Sequence, residues 1–260
     1  MNSLYRSITV AAITFGASVV GMLLQWAVPA DVLTASKGSV GAMVGLITLL
    51  LALVLGLLVF TAFSVYTTQQ TEAQSLGPVV IELDVILEQY GADVVGARTG
   101  LREALGRARK RFFGDLKHGP QAHTIEETRA TMHWMNTYFE RQPPSERHRQ
   151  LLTTARDLAK KFAETNMLMA RQLTNPFPPY VLAIVVCWAA ALFLGNGLVA
   201  APNAITVLAH LAGAIAIGSA IFLILELSTP YTGLIRLTSA GLDRMLEVLA
   251  KADQKETPAS

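Results

Sequence analysis

Four stretches of this chain are long enough and apolar enough to cross a membrane, and no other feature restricts its fold as much. They cover residues 7–28, 40–66, 180–201 and 204–227. The hydrocarbon core of a bilayer is about 30 Å thick, which a helix of about 20 apolar residues spans. Lipid offers backbone groups no partners, so each stretch must satisfy its own hydrogen bonds as a helix. Residues 40–66 run without a single Asp, Glu, Lys or Arg. Pro29, Pro178, Pro179, Pro202 and Pro230 stand at the edges of the stretches and not inside them, where a missing N–H does no damage to a helix. The first stretch exceeds the usual apolar core of a secretory signal and is read as a retained span.

Charge is segregated along the chain. Of the 40 Asp, Glu, Lys and Arg residues, 28 lie in residues 67–177. That segment reads as a water-exposed domain between spans 2 and 3, and residues 228–260 read as a tail. The domain holds 15 of the 21 Lys and Arg residues. Arg6 precedes span 1 and Arg236 follows span 4, whereas Lys37 is the only basic residue between spans 1 and 2. The positive-inside rule then places both termini and the domain in the cytoplasm, with the chain multi-pass.

The domain itself reads as helical. Leu76, Val80, Leu83, Leu87, Tyr90 and Val94 recur at spacings of 4, 3, 4, 3, 4. This is a coiled-coil-like seam, expected to carry span 2 into the cytosol and, in an oligomer, to extend a conduit or bundle the subunits. Gly77-Pro78 marks a kink near its start. A second helix is expected over Leu101–Leu116, with Leu101, Leu105, Ala108 and Phe112 on one face. Thr124 and Glu127 form a capping box for a third, and Ser145 caps a long fourth carrying Leu151, Ala155, Leu158, Phe162, Met169 and Leu173. No strand-like alternation occurs. The fold class is therefore an all-α membrane protein, with four transmembrane helices and a helical cytoplasmic domain between spans 2 and 3.

Little in the sequence points to catalysis. HExxH, Walker and GxSxG motifs are absent, and His118, His123, His133 and His148 make no ligand spacing. The single cysteine, Cys187, excludes a disulfide framework. No enzyme activity, metal or cofactor is expected. The basic run from Arg98 through Arg102 to Lys117 has two readings: an anion-attracting or lipid-contacting rim, or a solvated face beside Glu103 and Asp115. With no reading motif, nucleic acid is not an expected partner. His210 and Glu226 are the costly groups of span 4. Being 16 residues apart, they lie about 24 Å apart along a helix and cannot pair there.

Span 2 carries a stripe of small residues: Gly41, Gly45, Thr48, Ala52 and Gly56, running on to Phe63. Small residues let helices approach closely. The same stripe also suits a narrow conduit ending in a Phe60/Phe63 constriction, because apolar constrictions gate by dewetting. Span 4 has a comparable stripe, Ala209, Ala212, Gly213, Ala216 and Ala220, expected to pack on another helix.

The C-terminal quarter resembles a known family. The run Leu194-Gly195-Asn196-Gly197, continuing through Pro202-Asn203 to Val207, is followed by Gly218-Ser219-Ala220-Ile221-Phe222 and by Glu226-Leu227. Pro230-Tyr231-Thr232-Gly233 closes the match. These residues, with Pro202, Asn203, Ser219, Ile221, Phe222, Glu226, Pro230 and Gly233 as its motif positions, resemble the bestrophin-like domain family. Weaker matches are Leu53-Val54-Leu55-Gly56 in span 2 and Glu72-Ala73 with Leu76. Ser228 and Tyr231 stand where that family usually has Asp and Phe.

The resemblance implies an oligomeric ion channel, by analogy to the bestrophin chloride channels, whose second span lines the pore and carries an apolar neck. Carried onto this sequence, it implies a pore lined by Gly41, Gly45, Thr48, Ala52, Gly56, Phe60 and Phe63. Arg98, Arg102 and Glu226 then belong at the cytoplasmic mouth. The expected assembly is a cyclic homo-oligomer of four or five copies in membrane lipid, passing small ions passively with chloride favoured over cations. The competing expectation is a non-conducting scaffold or sensor built on the cytoplasmic bundle.

Overall fold

The computed structural model describes residues 2–91, 95–114, 125–139, 143, 145–173, 179–229, 231, 234–235 and 237–256. Eight helices account for nearly all of them: α1 (Asn2–Ala27), α2 (Ala30–Tyr90), α3 (Val95–Phe113), α4 (Ile125–Phe139), α5 (Glu146–Leu173), α6 (Pro179–Val199), α7 (Ala204–Leu227) and α8 (Ala240–Glu256). The chain is an all-α membrane protein. Its spans are α1, the apolar part of α2, α6 and α7, and a helical region separates the second span from the third. Two compact units form. One comprises Met1–Tyr66, Phe177–Thr229 and Gly233–Ile235, and the other Thr67–Pro176, Pro230–Thr232 and Arg236–Ser260.

In the membrane unit the connection between spans 1 and 2 is shorter than expected. Helix α1 ends at Ala27 and α2 starts at Ala30, so Lys37 sits on a helix and not in a loop. Pro29 explains the economy: it cannot continue α1, while its carbonyl accepts from Leu33 N at 3.1 Å and so opens α2. The core of this unit joins Val10 of α1, Leu51, Leu58 and Ala62 of α2, Val185, Ala189 and Phe193 of α6, and Ala214, Ile221 and Ile224 of α7.

Two glycines set how closely α1 and α6 cross. A Cβ on Gly197 would lie 2.2 Å from the Ser18 carbonyl oxygen, and one on Gly21 would lie 2.2 Å from the Leu194 carbonyl oxygen. Backbone cannot yield as a side-chain tip does, so only glycine fits. At the α1–α7 crossing, a Cβ on Gly218 would lie 3.0 Å from Ser7 O. The packing face of α7 is consequently Ala214, Gly218 and Ile221. Of the stripe expected to pack, Gly213 meets Phe193 of α6, where a Cβ would lie 3.0 Å from the ring, and Ala220 is half-buried, whereas Ala209, Ala212 and Ala216 are exposed in the protomer. Helix α7 is capped by Asn203, whose side chain accepts from Thr206 N at 2.8 Å. The C-terminal carbonyls of α6 are satisfied from α1, where Gln25 Nε2 donates to Gly197 O at 2.7 Å and to Ala200 O.

The second unit buries the seam read from the sequence. Leu76, Val80, Leu83, Leu87 and Tyr90 are all buried within one protomer, so they cannot be the surface that bundles subunits; Val94 lies outside the described residues. The rings of Tyr90 and His148 meet edge to face with centroids 5.1 Å apart, so α5 starts beside the end of α2, and Ala155, Ala159 and Phe162 of α5 are buried too.

Pro78 does not interrupt α2, which continues helical through it. Gly77, just before it, is the tight point, because a Cβ there would lie 2.2 Å from Met245 Cε of α8. Helix α3 buries Leu101, Leu105, Ala108 and Phe112 as their spacing predicts. Ser145 caps α5, its hydroxyl accepting from His148 N at 3.3 Å. Thr124, expected to cap α4, lies outside the described residues. Helix α8 was not anticipated within the tail; it buries Leu242 and Leu249 and is tied to α3 by Arg109 and Asp243, 2.5 Å apart.

Candidate functional site

The apolar part of α2 is the least enclosed of the four spans. Its most apolar window is 17% buried, against 33% for the corresponding windows of α1 and α6. One face packs, through Leu51, Leu58 and Ala62. At about 100° per residue, Gly41, Gly45, Thr48, Ala52, Gly56 and Phe63 occupy a second face, about 80° wide. Gly41, Gly45, Thr48, Ala52, Gly56 and Phe63 are all exposed in the protomer. A Cβ on Gly41, Gly45 or Gly56 would meet nothing within 4 Å. Thr48 returns its hydroxyl to Val44 O at 2.8 Å, which leaves the stripe with no donor committed outside its own helix. Phe60, 69% exposed, lies about 80° from the centre of the stripe, on the adjoining face with Leu49 and Leu53. The two phenylalanines therefore mark neighbouring faces and not a single line.

The basic run is mostly committed within the protein. Arg98 is 5% exposed and holds Asp84 bidentately, Nε to Oδ1 at 2.9 Å and Nη2 to Oδ2 at 3.0 Å. A buried pair of this kind is neutral to its surroundings, so Arg98 does not serve as an anion-attracting rim. Arg102 is half-buried and donates to the Leu249 carbonyl at 3.0 Å, closing α3 onto α8. Arg107 faces Glu103 at 3.6 Å. Arg111 is buried, its guanidinium 5.8 Å from the Phe112 ring centroid. Asp115, Lys117, His118 and His123 lie outside the described residues.

Glu226 is likewise committed within the protein. It is 1% exposed. The Ser3 hydroxyl donates to Oε1, the Leu234 N–H donates to Oε2, and Ile235 N–H reaches Oε2 at 3.3 Å. The carboxyl group thus ties the start of α1 to the segment that follows α7. His210 reaches Ser18 of α1, with Nδ1 and Oγ 2.5 Å apart, and its ring lies 6.1 Å from that of Phe193. It is a helix-packing group in this protomer. Of the remaining motif positions, Asn203 caps α7, Pro202 just before it is exposed, Ile221 is buried, Phe222 is half-buried, and the Ser219 hydroxyl donates to Ile215 O at 2.8 Å. Pro230 and Gly233 lie outside the described residues. The signal for the Glu226 contact was present as Ser3 and Glu226, but nothing in spacing pairs residues 223 positions apart.

Fold and site together define a four-span, all-α membrane protein in which an unpacked face of the second span is the principal unexplained surface. The Bestrophin-like domain family matches residues 11–242, and the chain belongs to that family. No curated protein and no solved structure is significantly similar to it. The family is not one of enzymes, and among the described residues no three His, Cys, Asp or Glu side chains gather into a metal set.

Proposed function

We propose that the protein is a homo-oligomeric channel that passes small ions passively, with α2 around the axis and anions favoured. The observation that carries the proposal is the exposed glycine stripe. Each glycine in a helix interior costs about 1 kcal/mol relative to alanine. Nothing in the protomer requires Gly41, Gly45 and Gly56 to lack a side chain, and lipid does not require it. A neighbouring copy or a narrow bore does. One four-span subunit cannot enclose a bore, whereas cyclic symmetry closes one from copies of a single helix. The stripe through Thr48 and Ala52 then lines the conduit, with Phe63 and Phe60 as its apolar constriction. Topology follows the basic flanks: both termini and the helical region between spans 2 and 3 face the cytoplasm of a bacterial inner membrane. The stoichiometry is four or five.

With Arg98 paired to Asp84, preference for anions rests on the family analogy and on a conduit free of acidic side chains. The rival reading is a non-conducting scaffold, in which the same glycine stripe packs copies together without a wet path. Thr48→Cys in a Cys187→Ser background separates the two. In a conducting bore, a water-soluble thiol reagent reaches position 48 and reduces the current. In a scaffold, position 48 stays unmodified.

A further inference from the structure

Leu234 and Ile235 belong to the membrane unit although they follow its last span. Glu226 of α7 sets their position. The Leu234 N–H donates to Oε2, the Ile235 N–H reaches the same oxygen at 3.3 Å, and the Ser3 hydroxyl donates to Oε1. One carboxylate therefore holds residues 234–235 beside the first turn of α1. The side chains left uncovered are apolar: Leu234 is 76% exposed and Ile235 40%.

The depth of that turn is marked along α1. Tyr5 and Trp26 are both exposed, and Trp26 comes 21 residues after Tyr5, about 32 Å along the helix. Tyr and Trp gather at the two faces of a bilayer, whose apolar core is about 30 Å thick. Tyr5 thus marks one boundary of the hydrocarbon, and Ser3 lies just on its headgroup side. Leu234 and Ile235 share that level. Irregular backbone near the hydrocarbon needs partners that lipid does not offer, and Glu226 supplies them to two successive N–H groups. In water those groups would be solvated without help, and two adjacent bare aliphatic side chains would be unfavourable. At the acyl boundary both features are stabilising.

We propose that Leu234 and Ile235 form an interfacial anchor, their side chains inserted among the lipid acyl chains of the leaflet that holds Ser3. The partner is the phospholipid monolayer and not a second copy of the chain. Close helix contacts in this unit are built on glycine, at Gly21, Gly197 and Gly218. Leu4, Tyr5, Leu234 and Ile235, the exposed apolar residues at this level, are all large. The anchor does not depend on conduction, so it stands or falls separately from the channel reading.

The test is spin-label accessibility in the full-length protein reconstituted into vesicles of phosphatidylcholine and phosphatidylglycerol. Leu234→Cys in a Cys187→Ser background carries the nitroxide, and Ile235→Cys takes its place if that variant does not fold. Thr154→Cys, on the exposed side of α5, is the aqueous reference. Collisions with O₂, which concentrates in lipid, are compared with collisions with a water-soluble nickel chelate. The expected result at position 234 is a ratio of O₂ to nickel collisions severalfold above that at position 154. Adding Glu226→Ala should then raise nickel access at 234, because the freed N–H groups need water. A ratio at 234 equal to that at 154 overturns the proposal and puts the segment in water. Low collision with both reagents overturns it by showing that protein, such as a second copy, covers the side chain. A ratio unmoved by Glu226→Ala in folded protein overturns the role given to the carboxylate, and with it the argument for depth.

Discussion

Removing the Glu226 carboxylate should loosen the membrane unit more than any other single truncation at its ends. The side chain accepts from Ser3 Oγ, Leu234 N and Ile235 N while being 1% exposed. In Glu226→Ala the Ser3 hydroxyl can rotate to another acceptor. The two backbone N–H groups cannot, and each buried orphan costs about 1–3 kcal/mol. With the small cavity added, the loss is about 3–5 kcal/mol. For a chain of this size that lowers Tm by roughly 6–20 °C. Glu226→Gln keeps one acceptor oxygen but loses charge assistance, so about 1.5–3 kcal/mol is expected. Ser3→Ala removes one donor and costs about 1 kcal/mol. The assay is thermal unfolding of the purified protein in one detergent, with Ser3→Ala/Glu226→Gln closing a double-mutant cycle. The reasoning predicts the order Ala, Gln, Ser3→Ala and a coupling of about 0.5–1 kcal/mol between the last two. A drop under about 2 °C for Glu226→Ala, or strict additivity in the cycle, would refute it.

Three further outcomes follow from the same geometry. Arg98→Met leaves Asp84 buried without its partner and should cost about 3–5 kcal/mol; Arg98→Met/Asp84→Leu should recover part of it, and neither should move the reversal potential of any current, since the pair is not a rim. Gly197→Ala drives a Cβ to 2.2 Å from Ser18 O and should destabilise the α1–α6 crossing by about 1–3 kcal/mol, whereas Gly45→Ala meets nothing within 4 Å in the protomer and should leave Tm unchanged or higher while lowering conductance. The Asp243 carboxyl is held below the usual carboxylate range, first by its hydrogen bond from Arg109, then by that from Ser239. Its stabilising contribution is therefore present above the unfolded pKa near 4 and is lost as pH falls through the lower folded value. Between pH 5 and 3, the protection factors of α8 amides, observed exchange normalised to the intrinsic rate at each pH, should fall, and Asp243→Asn should remove that pH dependence; the pair is half-exposed, so the effect is about 0.5 kcal/mol after screening.

The four spans were legible because hydropathy and length act locally. The face of α3 was legible because Leu101, Leu105, Ala108 and Phe112 recur at helical spacing. The seam from Leu76 to Tyr90 was found, but its partner was not. A 3.5-residue repeat specifies helix-on-helix packing and is silent on whether the second helix belongs to the same chain, which buries the seam here, or to a copy. The basic run misled for a related reason: the sequence shows Arg98 next to other cations, whereas its buried partner, Asp84, is brought from another helix. Helix α8 was missed because a tail after the last span carries no apolar run, though Leu242, Met245 and Leu249 at spacings of 3 and 4 signal it.

The measurement that tests the central claim most directly is the current through purified wild-type protein and Phe63→Ala in planar bilayers under an asymmetric KCl gradient. The predicted result is a current that reverses near the chloride equilibrium potential, with a larger conductance once the Phe63 ring, 53% exposed on the α2 stripe, is removed. No current from either protein across the voltage range would contradict conduction and leave the exposed stripe of α2 as a packing surface alone.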